Sequence, residues 1–270
     1  MPYLNVNEVK LYYEIKGNEA SQETIVFLNG VMASTNSWAL QVKAFEQLPV
    51  KILLHDFRGQ LRSEKPKGPY TFKQHAADVI GLLKALNIEK AHFIGTSYGG
   101  EVALYLGIYH KEVVKTLTVI DSVSELDEVL TYFVKSWKAL AERKDGEAFF
   151  WSMMPTIYHN DFIKKHLVML KERAKAMNDL DPSYFEGQIE LYDTFLNDLN
   201  LTSELHKIDC PTLIVCGEED LLKPRKFSDI IQREIEHAEY ALIPNCAHVT
   251  IFEKPAILNT LLLGFVLKNT

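Results

Sequence analysis

Along the first third of the chain, short apolar runs and helical periodicities take turns. Residues 6–15 alternate apolar and polar positions, the period of a half-buried strand. Residues 24–29 (TIVFLN) and 51–56 (KILLHD) are continuous apolar runs ending in loop-forming residues, as strands buried on both faces do. Between them Trp38, Val42 and Phe45 recur at helical spacing. Thr71, with Gln74 three residues on, has the form of a capping box, and Phe72, Ala76, Val79, Ile80 and Leu83 then mark one helical face. That helix leads into the apolar run AHFIG at 91–95, and TLTVID at 116–121 repeats the strand signature. Strands alternating with helices predict a largely parallel sheet covered on both faces.

From 122 to 205 the strand pattern stops. Leu126, Leu130, Phe133, Val134, Trp137 and Leu140 follow helical periodicity, as do Phe162, His166, Met169 and Leu170, and then Tyr184, Ile189, Tyr192 and Leu196. The α/β pattern resumes with CPTLIVCG at 210–217, a helix over 227–235, AEYALIP at 238–244 and a terminal helix. The expected organisation is an α/β core made of 1–121 and 206–270, interrupted by an all-helical insertion at 122–205.

Composition narrows the class. With 270 residues, 47% hydrophobic and 24% charged, the chain can bury a core of its own and is neither disordered nor fibrous. A formal charge of -7 gives no footprint for a phosphate backbone, so nucleic acid is not an expected partner. Cys210, Cys216 and Cys246 lack metal or disulfide spacing and read as reduced core thiols. The N-terminal residues alternate like a strand without the pattern of a signal peptide, and LLLGFVL near the end is too short to span a bilayer. A cytoplasmic location with no membrane association is expected.

The chemistry gathers at Gly95-Thr96-Ser97-Tyr98-Gly99. A Gly-x-Ser-x-Gly run recurs by chance, and a glycine-rich turn with a helix-capping serine would carry the same letters. Here the apolar strand AHFI runs directly in and the helical EVALYLGIYH runs directly out, the setting of a nucleophile elbow. A serine hydroxyl needs a base and an orienting acid. Asp220 follows the strand of CPTLIVCG and His248 follows that of AEYALIP, so Ser97, Asp220 and His248 stand in the order that α/β-hydrolases use. Asp121, at the end of the preceding strand, is an alternative acid. His55 beside Asp56 reads as a strand-end hydrogen-bonding histidine, Glu101 and Glu253 as structural polar groups, and Cys246 as a packing thiol.

With these motifs on the page, the chain resembles, over essentially its whole length, the α/β-hydrolase superfamily and within it the capped esterase, lactonase and C–C hydrolase group. HDFRGQLRSEKP resembles that group's D-x-R-G-x-G-x-S loop, GEEDLLKP its acid loop and CAHVTIFEKP its histidine loop. Asn29 stands where a histidine is usual, Leu61 and Ala247 where glycines are. The resemblance implies a mostly parallel eight-stranded sheet flanked by helices, with the insertion a cap after strand 6. It implies an oxyanion hole built from the backbone N–H groups of Val31 and Tyr98, and no metal or organic cofactor. Asn29, Trp137, Trp151 and Met154 are the expected pocket residues, Trp151 and Met154 because their segment stops at Pro155. A basic stretch, Lys164, Lys165, Lys171, Arg173 and Lys175, reads first as a solvated face and second as a lip for anionic substrates. The expected activity is hydrolysis of small, largely apolar carboxylic esters or lactones through an acyl-enzyme. The same triad also serves C–C, thioester or amide cleavage, and a slow-turnover ligand-binding role is the rival outside catalysis.

Overall fold

A computed structural model describes residues 2–270. Residues 6–15 do not form one strand: β1 (Tyr3–Val6) and β2 (Val9–Gly17) pair as an antiparallel hairpin. Asn7 and Glu8 form its two-residue turn with φ of 48° and 63°, the left-handed pair that matches the twist of two strands. The apolar phase shifts at this turn, from the even positions Leu4 and Val6 to the odd positions Val9, Leu11, Tyr13 and Ile15, and the consecutive polar residues Asn7 and Glu8 mark the break between the two strands.

The next elements are β3 (Thr24–Leu28), α1 (Ala39–Phe45), β4 (Lys51–His55), α2 (Phe72–Ala85), β5 (Ala91–Thr96), α3 (Tyr98–Tyr109) and β6 (Val114–Ile120). After the insertion come β7 (Thr212–Gly217), α8 (Arg225–Glu234), β8 (Glu239–Ile243), α9 (Thr250–Glu253) and α10 (Pro255–Lys268). One sheet of eight strands results, in the order β1-β2-β4-β3-β5-β6-β7-β8, parallel from β4 onward.

Alternation along the strands distributes the core. In β3, Val26 and Leu28 face one apolar layer with Phe93, Leu117 and the α2 and α3 side chains, while Ile25 and Phe27 face another with Trp38, Phe45 and Phe265. Each layer needs its own helices, so α1 and α10 cover one face and α2, α3 and α8 the other. The N-terminus of α2 is closed by Thr71, whose hydroxyl accepts from the Gln74 N–H at 3.1 Å.

Between β6 and β7 the chain forms α4 (Glu128–Glu142), α5 (Gly146–Ile157), α6 (Asn160–Ala176) and α7 (Ser183–Asp198). Asp127 and Asp145 cap α4 and α5. Pro155 does not end α5: the helix continues to Ile157, and Tyr158 N donates to Met154 O at 3.2 Å. Among the described residues, no helix is long and apolar enough to cross a membrane.

Behind β5 and α3 lies an aromatic cluster containing two fully buried histidines. His75 meets Phe57 at 5.2 Å, Tyr70 at 5.9 Å and Tyr98 at 5.4 Å between ring centroids, and His55 meets Phe57 edge-on at 4.9 Å. The rings of both histidines lack a hydrogen-bond partner, so His55 is an aromatic packing element and not the hydrogen-bonded strand end that the sequence suggests. Burial holds His55 down to about 4; burial, aided by Arg58, holds His75 down to about 3. Groups depressed in the folded state contribute stability above their unfolded pKa of about 6.5, and lose it as pH falls toward the folded values. His75 should therefore account for about 2.5 kcal/mol of the stability lost between pH 7 and 4.5. Denaturant titrations of wild type and His75→Phe at both pH values should show that loss shrinking by this amount in the variant.

Candidate active site

Ser97 sits between β5 and α3 with φ 51° and ψ -121°, a backbone that L residues adopt only under constraint. The constraint is crowding. A β-carbon on Gly95 would lie 2.2 Å from Gly99 O, and one on Gly99 would lie 2.1 Å from Leu28 O. The serine itself is tied down by Ser97 N donating to Ile120 O at 2.8 Å and by Ser122 Oγ donating to Ser97 O at 2.9 Å.

His248 Nε2 is 3.0 Å from Ser97 Oγ, and His248 Nδ1 is 2.8 Å from Asp220 Oδ2. The other carboxylate oxygen, Asp220 Oδ1, accepts from the N–H groups of Leu222 and Lys223, both at 2.9 Å. Asp220 and His248 are buried. The chain thus brings together, from three different strand ends, the three residues singled out in the sequence.

Asp121 is placed otherwise. Its Oδ1 accepts from Gly217 N at 2.8 Å and its Oδ2 bonds Thr250 Oγ1 at 2.9 Å, tying β6, β7 and the histidine loop together. Burial, reinforced by the neighbouring Asp220 charge, pushes its carboxyl well above the usual range. Cys246 is fully buried and burial pushes its thiol up, which makes it a packing group.

Val31 and Tyr98 both face the space above Ser97, and a β-carbon on Gly30 would stand only 3.5 Å from Ser97 Cβ. The Val31 loop is held from beneath. Asn29 is wholly buried: its Nδ2 donates to His55 O at 2.9 Å and Gln60 Oε1 at 3.0 Å, and its Oδ1 accepts from Trp38 Nε1 at 2.9 Å. Gln60 Nε2 in turn donates to Gly30 O at 2.8 Å and Val31 O at 3.2 Å. Asn29 is therefore a support under the loop and does not line the pocket. Gln60 was not singled out, since no local signal separates it from other loop glutamines.

Above these groups is a cavity of about 110 Å³, closed on one side by the sheet's carboxyl edge and on the other by the inserted helices. Leu130, Val134 and Trp137 of α4, Phe150 and Met153 of α5 and Phe195 of α7 line it from the side of the insertion. Trp137 takes its expected place; Trp151 and Met154 do not. Because α5 runs past Pro155, the line facing the cavity is Phe150, Met153 and Ile157, which leaves Met154 on the flank and turns the Trp151 indole outward toward Glu147 at 3.4 Å.

The insertion and the histidine loop share a clamp. Glu253 Oε1 accepts from His159 N at 2.7 Å at the start of α6, and Glu253 Oε2 accepts from Ala247 N at 2.8 Å, next to His248. Among the described residues, no three His, Cys, Asp or Glu side chains group as a metal site.

With fold and site in view, the comparison with known families decides the lineage: the family described as alpha/beta hydrolase fold matches residues 23–255. The chain belongs to that family. This α/β-fold hydrolase is 26% identical to RutD of Azorhizobium caulinodans over 98% of both chains, a relative whose name carries carbamate hydrolysis only as a provisional assignment. It is 27% identical to 3-oxoadipate enol-lactonase 1 of Acinetobacter baylyi, covering 95% of this chain and 92% of that one. Among solved structures it superimposes with a TM-score of 0.92 on MGS-M2, an alpha/beta hydrolase from a deep-sea metagenome of the Medee basin, at 29% identity over 97% and 96% of the two chains.

In this hydrolase the geometry separates the two aspartates. Asp220→Asn should lower kcat by about 10⁴-fold through loss of the imidazole's oriented tautomer. Asp121→Asn, which keeps an acceptor for Gly217 N but turns the oxygen that accepts from Thr250 Oγ1 into an amide donor, should leave kcat within about threefold and lower the midpoint of thermal unfolding by about 2 to 4 °C. Gln60→Ala, by freeing the Val31 loop, should cost about ten- to a hundredfold in kcat. Steady-state kinetics with a chromogenic ester and thermal melts check all three.

Proposed function

We propose that the protein is a serine hydrolase that cleaves small carboxylic esters or lactones through an acyl-enzyme. The observation that carries this reading is the unbroken relay from Ser97 Oγ through His248 to Asp220, at 3.0 and 2.8 Å, opening into an apolar cavity. Ser97 Oγ attacks the substrate carbonyl carbon while His248 Nε2 takes the hydroxyl proton, and Asp220 stabilises the imidazolium and fixes its orientation. The carbonyl oxygen, gaining negative charge, is received by the N–H groups of Val31 and Tyr98, donors worth about 3 to 4 kcal/mol each in a site of this kind. His248 then gives its proton to the departing alkoxide. A water molecule, deprotonated by His248, attacks the acyl carbon, and the carboxylic acid leaves with Ser97 restored. With a lactone the alcohol stays tethered and the product is one hydroxy acid.

The helical segment 122–205 acts as the cap, excluding water from the relay and shaping the acyl or alcohol pocket through Trp137, Phe150 and Met153. The activity named for the Acinetobacter relative favours lactones among the candidates, and the name of the Azorhizobium relative makes a carbamate worth assaying beside them.

Intact mass after incubation with a fluorophosphonate tests the reading without knowledge of the substrate. Wild type should gain one adduct and Ser97→Ala none, with ester turnover falling by about 10⁴-fold or more in the variant. A folded wild type that gains no adduct, or an adduct that persists in Ser97→Ala, overturns it.

A further inference from the structure

We propose that Arg173 forms an anion-binding subsite that selects substrates bearing a carboxylate at the end remote from the scissile bond. The inference deepens the serine-hydrolase reading and rests on it.

The residues lining the cavity include no aspartate or glutamate, and its lysine and arginine members are Lys223 and Arg173. Their situations differ. Lys223 Nζ lies 2.9 Å from Glu101 Oε1, with both side chains buried, so its charge is cancelled within the wall. Arg173 meets only neutral groups: Nη1 is 3.4 Å from the Tyr158 hydroxyl oxygen, and Cζ lies 5.8 Å over the Phe252 ring. Among the described residues no carboxylate pairs with it. A half-buried guanidinium has lost part of its hydration without gaining a counter-ion, and most of its planar fork of donors is unused.

The surroundings offer a carboxylate a second donor. Tyr158 accepts from Arg173 through its oxygen, so its own hydroxyl hydrogen remains to be donated. Burial pushes its phenol up, which keeps that hydrogen in place. A carboxylate set between the guanidinium and the phenol would receive charge-assisted hydrogen bonds in a water-poor wall, where they are strongest. The subsite lies where α6 meets the loop of His248, since Val249, Ile251 and Phe252 line the cavity beside Arg173. Of the basic stretch on α6, Lys164, Lys165, Lys171 and Lys175 are exposed and Arg173 alone turns inward. The substrate class is then the monoanionic esters of short dicarboxylic acids, or lactones carrying a carboxylate.

The test compares kcat/KM for p-nitrophenyl hemiglutarate and p-nitrophenyl valerate, which differ chiefly in the terminal charge. Wild type should prefer the hemiglutarate by about tenfold or more. Arg173→Met should lower that preference about tenfold or more, mainly through KM, Arg173→Lys should retain part of it, and Lys171→Met, on the exposed face of the same helix, should change it less than about twofold. A preference that is absent in wild type, survives Arg173→Met or falls equally in Lys171→Met overturns the subsite. If neither ester gives Ser97-dependent release, the serine-hydrolase reading fails, and calorimetric titration with glutarate decides the subsite separately. Binding weakened about tenfold by Arg173→Met sustains it, and binding that is absent or equal in the two proteins overturns it.

Discussion

Everything at the site hangs on the backbone of Ser97, bent to a positive φ in a turn too tight for a β-carbon at either Gly95 or Gly99. Such a residue costs about 1 to 3 kcal/mol and persists only where its surroundings over-determine it. Here they do so from three sides: β3 presses against Gly99, Ile120 at the end of β6 takes the Ser97 N–H, and Ser122 holds its carbonyl. Each of these contacts is available only because β5 lies between β3 and β6 in the sheet. The strand order is thus a condition of the elbow.

Around the elbow, charge is rationed. Lys223 and Glu101 neutralise each other inside the wall, and Arg58 is bound by both oxygens of Asp78 at 2.6 and 2.8 Å. His55 and His75 are kept uncharged by burial, and Asp121 is driven toward its neutral form by the same effect and by Asp220. With those charges paired or suppressed, Asp220 and His248 on the sheet side and Arg173 on the side of the inserted helices are the polar groups left to act on the cavity, and a low dielectric makes such groups count for more.

The sequence discloses the frame well because the frame is written in nearest-neighbour terms. Alternating Ile25, Val26, Phe27 and Leu28 must feed two apolar layers, and apolar runs separated by helices must give parallel strands. Ser97, Asp220 and His248 were legible because each follows a strand, and strand ends in a parallel sheet share one edge. What failed was orientation. Trp151 and Met154 lie on the right helix, but which flank of α5 meets the cavity is set by how that helix packs, and periodicity carries no phase relative to a cavity. Pro155 compounded this, since a proline near the end of a helix gives up one hydrogen bond without stopping the chain. Asn29 was misplaced for a related reason: its neighbours His55 and Gln60 lie 26 and 31 residues away in the chain.

Glu253 grips the inserted helical segment through His159 N and the histidine loop through Ala247 N with the two oxygens of one carboxylate. Any displacement of the start of α6 must either break that grip or pull on Ala247, and with it on the neighbouring imidazole. One carboxylate thus ties the start of α6 to the residue that precedes His248, and the position of the imidazole is fixed from the inserted segment as well as from the sheet.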